Sequence, residues 1–196
     1  TLVEGKNLRS NWEKIIEFFN LIWSSDQKDM FFHTKVKLIL FKKLDIPVSN
    51  EELRGIGVIP SWLMILKKSL LPLVVELIAP QIYQFQFGAL AGRNINIAKY
   101  KILLNSKNRG YKKAILLDIR KAYDSVNRTR LIEKIHKLKD CDSKELILKV
   151  LKIDFILSYT IADVELHATV GLVQGDPWSA ILFIFYINDI VTEVAT

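Results

Sequence analysis

Residues 115–127 read ILLDIRKAYDSVN, and this stretch decides what kind of fold the chain forms. The apolar run from Ala114 to Leu117 is typical of a strand buried on both faces, and Asp118 ends it. A carboxylate in that position is held rigidly at the rim of a sheet. This suits a Mg²⁺ ligand, because the ion needs oxygen donors in fixed octahedral geometry. Asp118 and Asp124 could instead cap short helices.

A second stretch, residues 170–180, reads VGLVQGDPWSA and leads into an apolar helix predicted from Pro177 to Val194. Gly175 permits close approach of the backbone to a ligand, and Gln174 places an amide just before the helix. Asp176 and Pro177 fit the N-cap and the first helical position, so a plain helix start would also explain this pair.

Composition narrows the class of protein. The chain has 196 residues, half of them apolar, which is enough for a compact core. Its net charge of +7 suits a polyanionic partner, although membrane surfaces and acidic proteins would be attracted too. Cys141 is the single cysteine, so no internal disulfide can form. The longest clean apolar run, Ala180 to Ile187, is far shorter than the ~20 residues of a membrane span.

Hydrophobic periodicity predicts a mixture of helices and short strands without regular βαβ alternation. Strands are predicted at 36–41 and 53–59, with one or two more within 160–170. Helices are predicted at 11–23, 60–71, 72–82, 97–104, 129–138 and 144–157.

The two stretches at 115–127 and 170–180 together resemble motifs A and B of reverse transcriptases. The first is similar to the D-x-x-K-A-[FY]-D-S-V form of non-LTR retrotransposon polymerases, and the second to their Q-G-D-P-x-S form. Their order agrees with that family, and Asp118 and Gln174 are 56 residues apart. Two such motifs in order are more specific than a lone glycine pattern.

Upstream segments extend the resemblance. Residues 38–43 (LILFKK) and 53–60 (LRGIGVIP) resemble two fingers strands, and 86–94 (QFGALAGRN) resembles the segment ahead of motif A. The resemblance implies an α+β fold, namely the fingers and part of the palm of a right-hand polymerase, with a small antiparallel sheet packed by helices. It implies three regions: an N-terminal helical extension at 1–34, fingers at 35–110 and a partial palm at 111–196.

The resemblance also implies roles for single residues. Asp118, with the Ile119 carbonyl, would hold catalytic Mg²⁺, two ions in the complete enzyme. Arg54 and Lys43, or its neighbour Lys42, would contact the triphosphate of the incoming nucleotide. The Tyr123 ring would exclude a 2′-hydroxyl, and Gln174 with Gly175 would line the pocket for the nucleotide and template base. The implied partners are an RNA template, a DNA primer and deoxynucleoside triphosphates.

The family also carries a [YF]-x-D-D hairpin after the motif B helix, and this sequence has no adjacent aspartate pair. Tyr186 to Asp189 (YIND) lies inside the predicted helix, so Asp189 is expected on the helix surface. We expect a chain truncated before that motif, which does not extend a primer by itself.

Two other interpretations stay open, and a third is disfavoured. The chain could come from a decayed element copy, or it could be a non-catalytic RNA-binding, maturase-like protein derived from a reverse transcriptase. Tyr123 argues against a viral RNA-dependent RNA polymerase, which needs room for the 2′-hydroxyl. We expect an intracellular location, with the nucleus as one candidate, and leave the oligomeric state open.

Overall fold

The computed structural model describes residues 13–14, 16–17, 20, 24, 35–42, 53–110, 113 and 115–195. The elements are β1 (Lys35–Lys42), β2 (Leu53–Val58), α1 (Ser61–Ile78), α2 (Ile95–Arg109), α3 (Arg128–His136), α4 (Asp142–Ile156), β3 (Ser158–Ile161), β4 (Val164–Leu166), α5 (Ser179–Tyr186) and α6 (Asn188–Ala195). A short 3-10 turn, Ala79–Gln81, follows α1. The predicted α+β class is confirmed.

The four strands form one sheet in the order β2-β1-β3-β4. Strands β1 and β2 run antiparallel, with Phe41 opposite Arg54, and β3 and β4 also run antiparallel. Strands β1 and β3 run parallel, with Val36 opposite Tyr159. The sheet is therefore mixed: the predicted antiparallel pairing is found for β1–β2 and β3–β4, whereas β1 and β3 are parallel. A parallel neighbour is possible because the long, mostly helical connection between β1 and β3 lets the chain return to the sheet in the same direction.

The core lies between the sheet and helices α1, α3, α4 and α5. Each helix contributes an apolar stripe at helical spacing. Fully or nearly fully buried side chains include Leu63, Val74 and Ile78 of α1, Leu131 and Ile135 of α3, Ile147, Leu148 and Leu151 of α4, and Ile181, Leu182 and Phe185 of α5. Trp178, just before α5, is also completely buried.

The structure overturns the prediction of a buried strand at 114–117. Residues 115–119 have no regular secondary structure, and the side chains of Ile115, Leu116 and Leu117 are 86%, 96% and 87% exposed. An apolar segment is buried only if other secondary-structure elements pack against it. In the described part of the chain, no strand pairs with these residues. Asp118 therefore does not end a central strand here.

Two helix predictions also differ from the structure. The predicted helices 60–71 and 72–82 form one helix, α1, with Pro72 inside it. The predicted helix from Pro177 to Val194 starts later, at Ser179, and is divided into α5 and α6 at Ile187.

Candidate nucleotide-binding site

The turn after Asp118 is built from its own backbone bonds. The Ser125 amide donates to the Lys121 carbonyl (2.9 Å), and the Ser125 hydroxyl donates to the Ala122 carbonyl (3.0 Å). Lys121 adopts a left-handed conformation, with φ 51°, which is uncommon for a residue with a side chain. Asn127 caps α3 by accepting the Arg130 amide (2.9 Å). Capping by Asp124 therefore does not explain this stretch.

The loop 171–176 is attached to this turn through the backbone. The Gly171 amide donates to the Val126 carbonyl (2.7 Å), and the Leu172 amide donates to the Tyr123 carbonyl (2.9 Å). Gly171 has φ 90°, and a Cβ there would lie 3.1 Å from the Asp124 carbonyl oxygen. Glycine is therefore required for the two segments to approach this closely.

On its other side the same loop contacts the end strand of the sheet. The Gly57 amide of β2 donates to the Gln174 carbonyl (2.8 Å). The loop thus lies between the strand that carries Arg54 and the turn that carries Tyr123. Three segments far apart in sequence meet at this point.

These segments enclose a cavity of about 670 Å³. Its lining residues are Leu53, Arg54, Gly55, Asp118, Ile119, Arg120, Lys121, Ala122, Tyr123, Asp124 and Gln174. Three of them carry a positive charge and two a negative charge. Such a surface can accept a polyanion at one part and a cation at another. Arg54, Asp118, Tyr123 and Gln174, to which the resemblance gives separate roles, all line this cavity.

The sequence matches the family model described as reverse transcriptase (RNA-dependent DNA polymerase) over residues 41–196. The chain belongs to the reverse transcriptase family. A search of curated proteins found none that matches this chain.

The residues predicted from sequence and the residues that line the cavity do not coincide fully. The sequence prediction assigned no role to Leu53, Gly55, Arg120, Lys121 or Ala122, all of which line the cavity. Arg120, Lys121 and Ala122 lie within the motif already quoted, so proximity in sequence was the available signal. Lys43 lies outside the described residues. Gly175 does not line the cavity and instead packs against Gly57.

Tyr123 packs against Phe183, which does not line the cavity. Its ring lies 5.1 Å from the Phe183 ring, centroid to centroid, at an interplanar angle of 40°. Its carbonyl also accepts the Leu172 amide. Tyr123, which lines the cavity, is therefore held through both its ring and its backbone.

The cavity offers oxygen donors to a divalent cation. The reverse transcriptase family generally uses divalent metal ions, and two carboxylates, Asp118 and Asp124, line the cavity together with Ile119. Carboxylate and carbonyl oxygens are the donors that Mg²⁺ prefers. Among the described residues, no group of three or more His, Cys, Asp or Glu is placed to hold a metal. The oxygen donors of Asp118, Asp124 and Ile119 are of the type that suits a hard divalent cation.

Behind the loop, a buried cluster of charges fixes Asp176. The Lys67 ammonium of α1 contacts Asp176 and lies 2.9 Å from Asp154 of α4. Asp176 also accepts the Trp178 amide (2.7 Å), and the Trp178 indole donates to the Lys67 carbonyl (2.7 Å). Asp176 thus caps the turn before α5, and Trp178 rather than Asp176 occupies the N-cap position.

Burial governs the protonation of this cluster. Burial by itself would lower the pKa of Lys67, but the carboxylates of Asp154 and Asp176 more than offset it and raise that pKa. Burial raises the pKa of Asp176, and the nearby Asp154 raises it further, against the opposing effect of Lys67. The buried carboxylates of Asp154 and Asp176 therefore rely on the positive charge of Lys67 for compensation.

Arg128 fixes the other end of the loop. Its guanidinium donates to the carbonyls of Gly171 (2.9 Å), Ala168 (2.6 Å) and Phe155 (3.1 Å), and to the Tyr159 hydroxyl (2.9 Å). Because one planar group contacts β3, the end of α4 and the start of the loop, the loop is tied to the core.

Asp189, which the sequence places in a YIND segment, lies in α6. Its side chain is 60% exposed and pairs with Lys134 at 2.9 Å. It does not line the cavity, so its predicted place on a helix surface is confirmed. No described helix is long and apolar enough to cross a membrane.

Proposed function

We propose that this chain forms the nucleotide-binding part of an RNA-directed DNA polymerase. In this proposal, residues 35–110 act as fingers, residues 111–196 act as part of the palm, and the parent protein comes from a non-LTR-type mobile element. The reaction is the addition of deoxynucleotides to a DNA primer on an RNA template. The observation that carries the proposal is the single cavity shared by Arg54, Asp118, Tyr123 and Gln174.

Each lining residue has a chemical task that suits its type. Arg54 neutralises triphosphate charge, because a guanidinium forms charge-assisted bonds with phosphate oxygens. Asp118 and the Ile119 carbonyl would hold Mg²⁺, and the bound ion would supply the positive charge that favours deprotonation of the primer hydroxyl and departure of pyrophosphate. Positioning and electrostatics then supply most of the catalysis, as in other phosphoryl transfers.

Selection of the sugar is assigned to Tyr123. A 2′-hydroxyl would collide with a ring that Phe183 holds from behind, 5.1 Å away. Discrimination by exclusion of this kind favours deoxynucleotides over ribonucleotides. Gln174 lines the part of the cavity assigned to the base, and Gly175 supports it from the loop.

Nucleotide binding tests the proposal. Affinities for dGTP and GTP, each with Mg²⁺, are measured by titration calorimetry on the 196-residue chain. We expect Arg54→Ala to weaken both nucleotides by roughly ten- to a hundredfold, the value of a hydrogen bond to a charged group. We expect Tyr123→Val to tighten GTP selectively, so that the preference for dGTP falls.

Lys68→Ala is the matched control, because Lys68 is an exposed cation on α1 outside the cavity. It should leave both affinities unchanged. A wild-type chain that binds neither nucleotide, or an Arg54→Ala variant that binds like the control, would contradict the proposal. RNA binding without nucleotide binding would favour the maturase-like alternative.

Primer extension is a separate measurement. We keep the expectation that these 196 residues alone do not extend a primer with Mg²⁺. Extension by the wild-type chain that disappears in Asp118→Ala would contradict that expectation while supporting the proposed site.

A further inference from the structure

Strand β2 and the loop 171–176 meet through two glycines placed against each other. The Gly57 amide donates to the Gln174 carbonyl (2.8 Å), so it points away from β1, and the loop covers this part of the sheet's outer edge. Gly175 has φ 108°, and a Cβ there would lie 2.8 Å from the Gly57 carbonyl oxygen. The loop can pack this closely against the strand only because Gly57 and Gly175 both lack a side chain.

Space at Gly57 is more restricted than elsewhere on the strand. A Cβ at Gly57 would overlap Cγ1 of Val173 and lie 3.1 Å from Cγ1 of Val36. Both valines are buried, so neither can turn aside into solvent. At Gly55, two residues earlier, a Cβ would meet only the Leu40 side chain at 3.8 Å, an ordinary contact. A side chain at position 57 would therefore push the loop off the strand.

The position of the loop 171–176 relative to β2 determines the separation of Arg54 and Gln174 across the cavity. Arg54 lies three residues before Gly57 on β2, and Gln174 is the residue whose carbonyl accepts the Gly57 amide. Both line the cavity, from different segments of the chain. A displacement of the loop relative to the strand changes the separation of these two side chains directly.

We propose that Gly57 is a positioning residue, which seats the loop 171–176 on β2 and thereby sets the distance across the cavity between Arg54 and Gln174. The consequence for nucleotide affinity rests on the proposed function. The seating itself does not, since it follows from the contacts of Gly57 with Val173, Val36 and Gln174.

Four variants separate this role from a general loss of stability. Gly57→Ala introduces the overlap, Val173→Ala removes its principal partner, and the double variant combines them. Gly88→Ala is the control, because a Cβ there would lie 3.7 Å from Cγ2 of Ile184, an ordinary contact outside the cavity. Two quantities are measured: hydrogen exchange of the residue 57 amide by NMR, and affinity for dGTP with Mg²⁺.

In Gly57→Ala we expect residue 57 exchange to accelerate by roughly tenfold or more, because its hydrogen bond to Gln174 opens. We expect dGTP affinity to fall by roughly tenfold, since misplacement of about 1 Å is costly at such sites. Exchange of α4 amides should change little. The double variant should recover both quantities to within about threefold of Val173→Ala alone, as expected of two residues that interact directly.

Slow exchange at residue 57 in Gly57→Ala would overturn the proposal. So would faster exchange with unchanged dGTP affinity, or a double variant that recovers neither quantity. A wild-type chain that does not bind dGTP would refute the proposed function, and the exchange data alone would then decide whether Gly57 seats the loop.

Discussion

Lys67 compensates two buried aspartates that come from different parts of the chain, Asp154 of α4 and Asp176 of the loop 171–176. Its side chain is completely buried and lies 5.2 Å from the centroid of the Trp178 ring. A single cation thus links α1, α4 and the loop that supports the cavity. Its removal would leave two carboxylates buried without a counter-charge.

We expect Lys67→Met to destabilise the protein by about 3–5 kcal/mol, the usual cost of leaving a buried charge unpaired. Chemical denaturation near neutral pH measures the change. Lys68→Met is the control, because Lys68 is the exposed neighbour on the same helix. Equal stabilities for the two variants would show that the buried ion pairs contribute nothing.

The loss of stability in Lys67→Met should depend on pH. Because burial raises the pKa of Asp176 above its ordinary value of 3.8, the folded state holds that proton more tightly than the unfolded state. Stability from this group is therefore present below that ordinary value and is lost as the pH rises through the raised pKa. Without Lys67 the pKa rises further, so the Lys67→Met deficit should shrink on acidification. A deficit that is constant with pH would contradict this assignment.

At the scale of elements, local periodicity predicted most of the fold. Strand β1, strand β2 and helices α2, α3 and α4 all lie within five residues of their predicted bounds, with the largest difference at the C-terminal end of α2. Asn94 and Asn127 cap α2 and α3 through their side chains, whereas α4 begins after Cys141 without a side-chain cap. Local periodicity and capping residues can be recognised from residues that are close together in sequence.

The failures depend on contacts that local pattern does not contain. Pro72 remains inside α1, because Val74 and Ile78 beyond it are completely buried and extend the core face of the helix. The division of α5 from α6 coincides with Asn188, whose side chain accepts the Tyr83 amide (2.8 Å) and donates to the Gln81 carbonyl (2.9 Å). Packing against the core explains the first outcome, and contacts with residues about 100 positions away in sequence accompany the second.

The residues that line the cavity were likewise predictable where a local motif contains them, and not where distant contacts decide. Motif strings pointed to Asp118, Tyr123 and Gln174, and the resemblance of residues 53–60 to a fingers strand pointed to Arg54; all four line the cavity. Gly57 escaped notice, because its requirement comes from Val173 and Val36, which are distant in sequence. A glycine within a strand indicates a close approach but does not name the partner.

The exposed apolar segment at 115–117 gives a prediction at this scale. Leu116 is 96% exposed and Leu151 of α4 is fully buried. We expect Leu116→Ala to change the free energy of unfolding by no more than about 0.5 kcal/mol. Leu151→Ala should cost about 2–5 kcal/mol. Similar losses in the two variants, measured by urea denaturation, would mean that residues 115–117 form a buried strand after all.

At the scale of the whole molecule, the net charge of +7 acts on any polyanion that approaches. We expect affinity for an RNA–DNA hybrid to fall linearly, on logarithmic axes, with rising salt, because each neutralised phosphate releases condensed counterions. Fluorescence anisotropy between roughly 50 and 200 mM salt measures the slope. Far-UV circular dichroism over the same range serves as the control for folding. An affinity independent of salt would exclude recognition dominated by charge.

The parallel pairing of β1 with β3 has a consequence for synthesis of the chain. Lys35 pairs with Ser158, so β1 leaves the ribosome 123 residues before its neighbour is made. At usual translation rates this delay is on the order of ten seconds. Throughout that interval one edge of β1 has open backbone donors and acceptors, the kind of edge to which another nascent chain can add. Completion of the sheet therefore comes late, and a chaperone that shields this edge should raise the yield of folded protein.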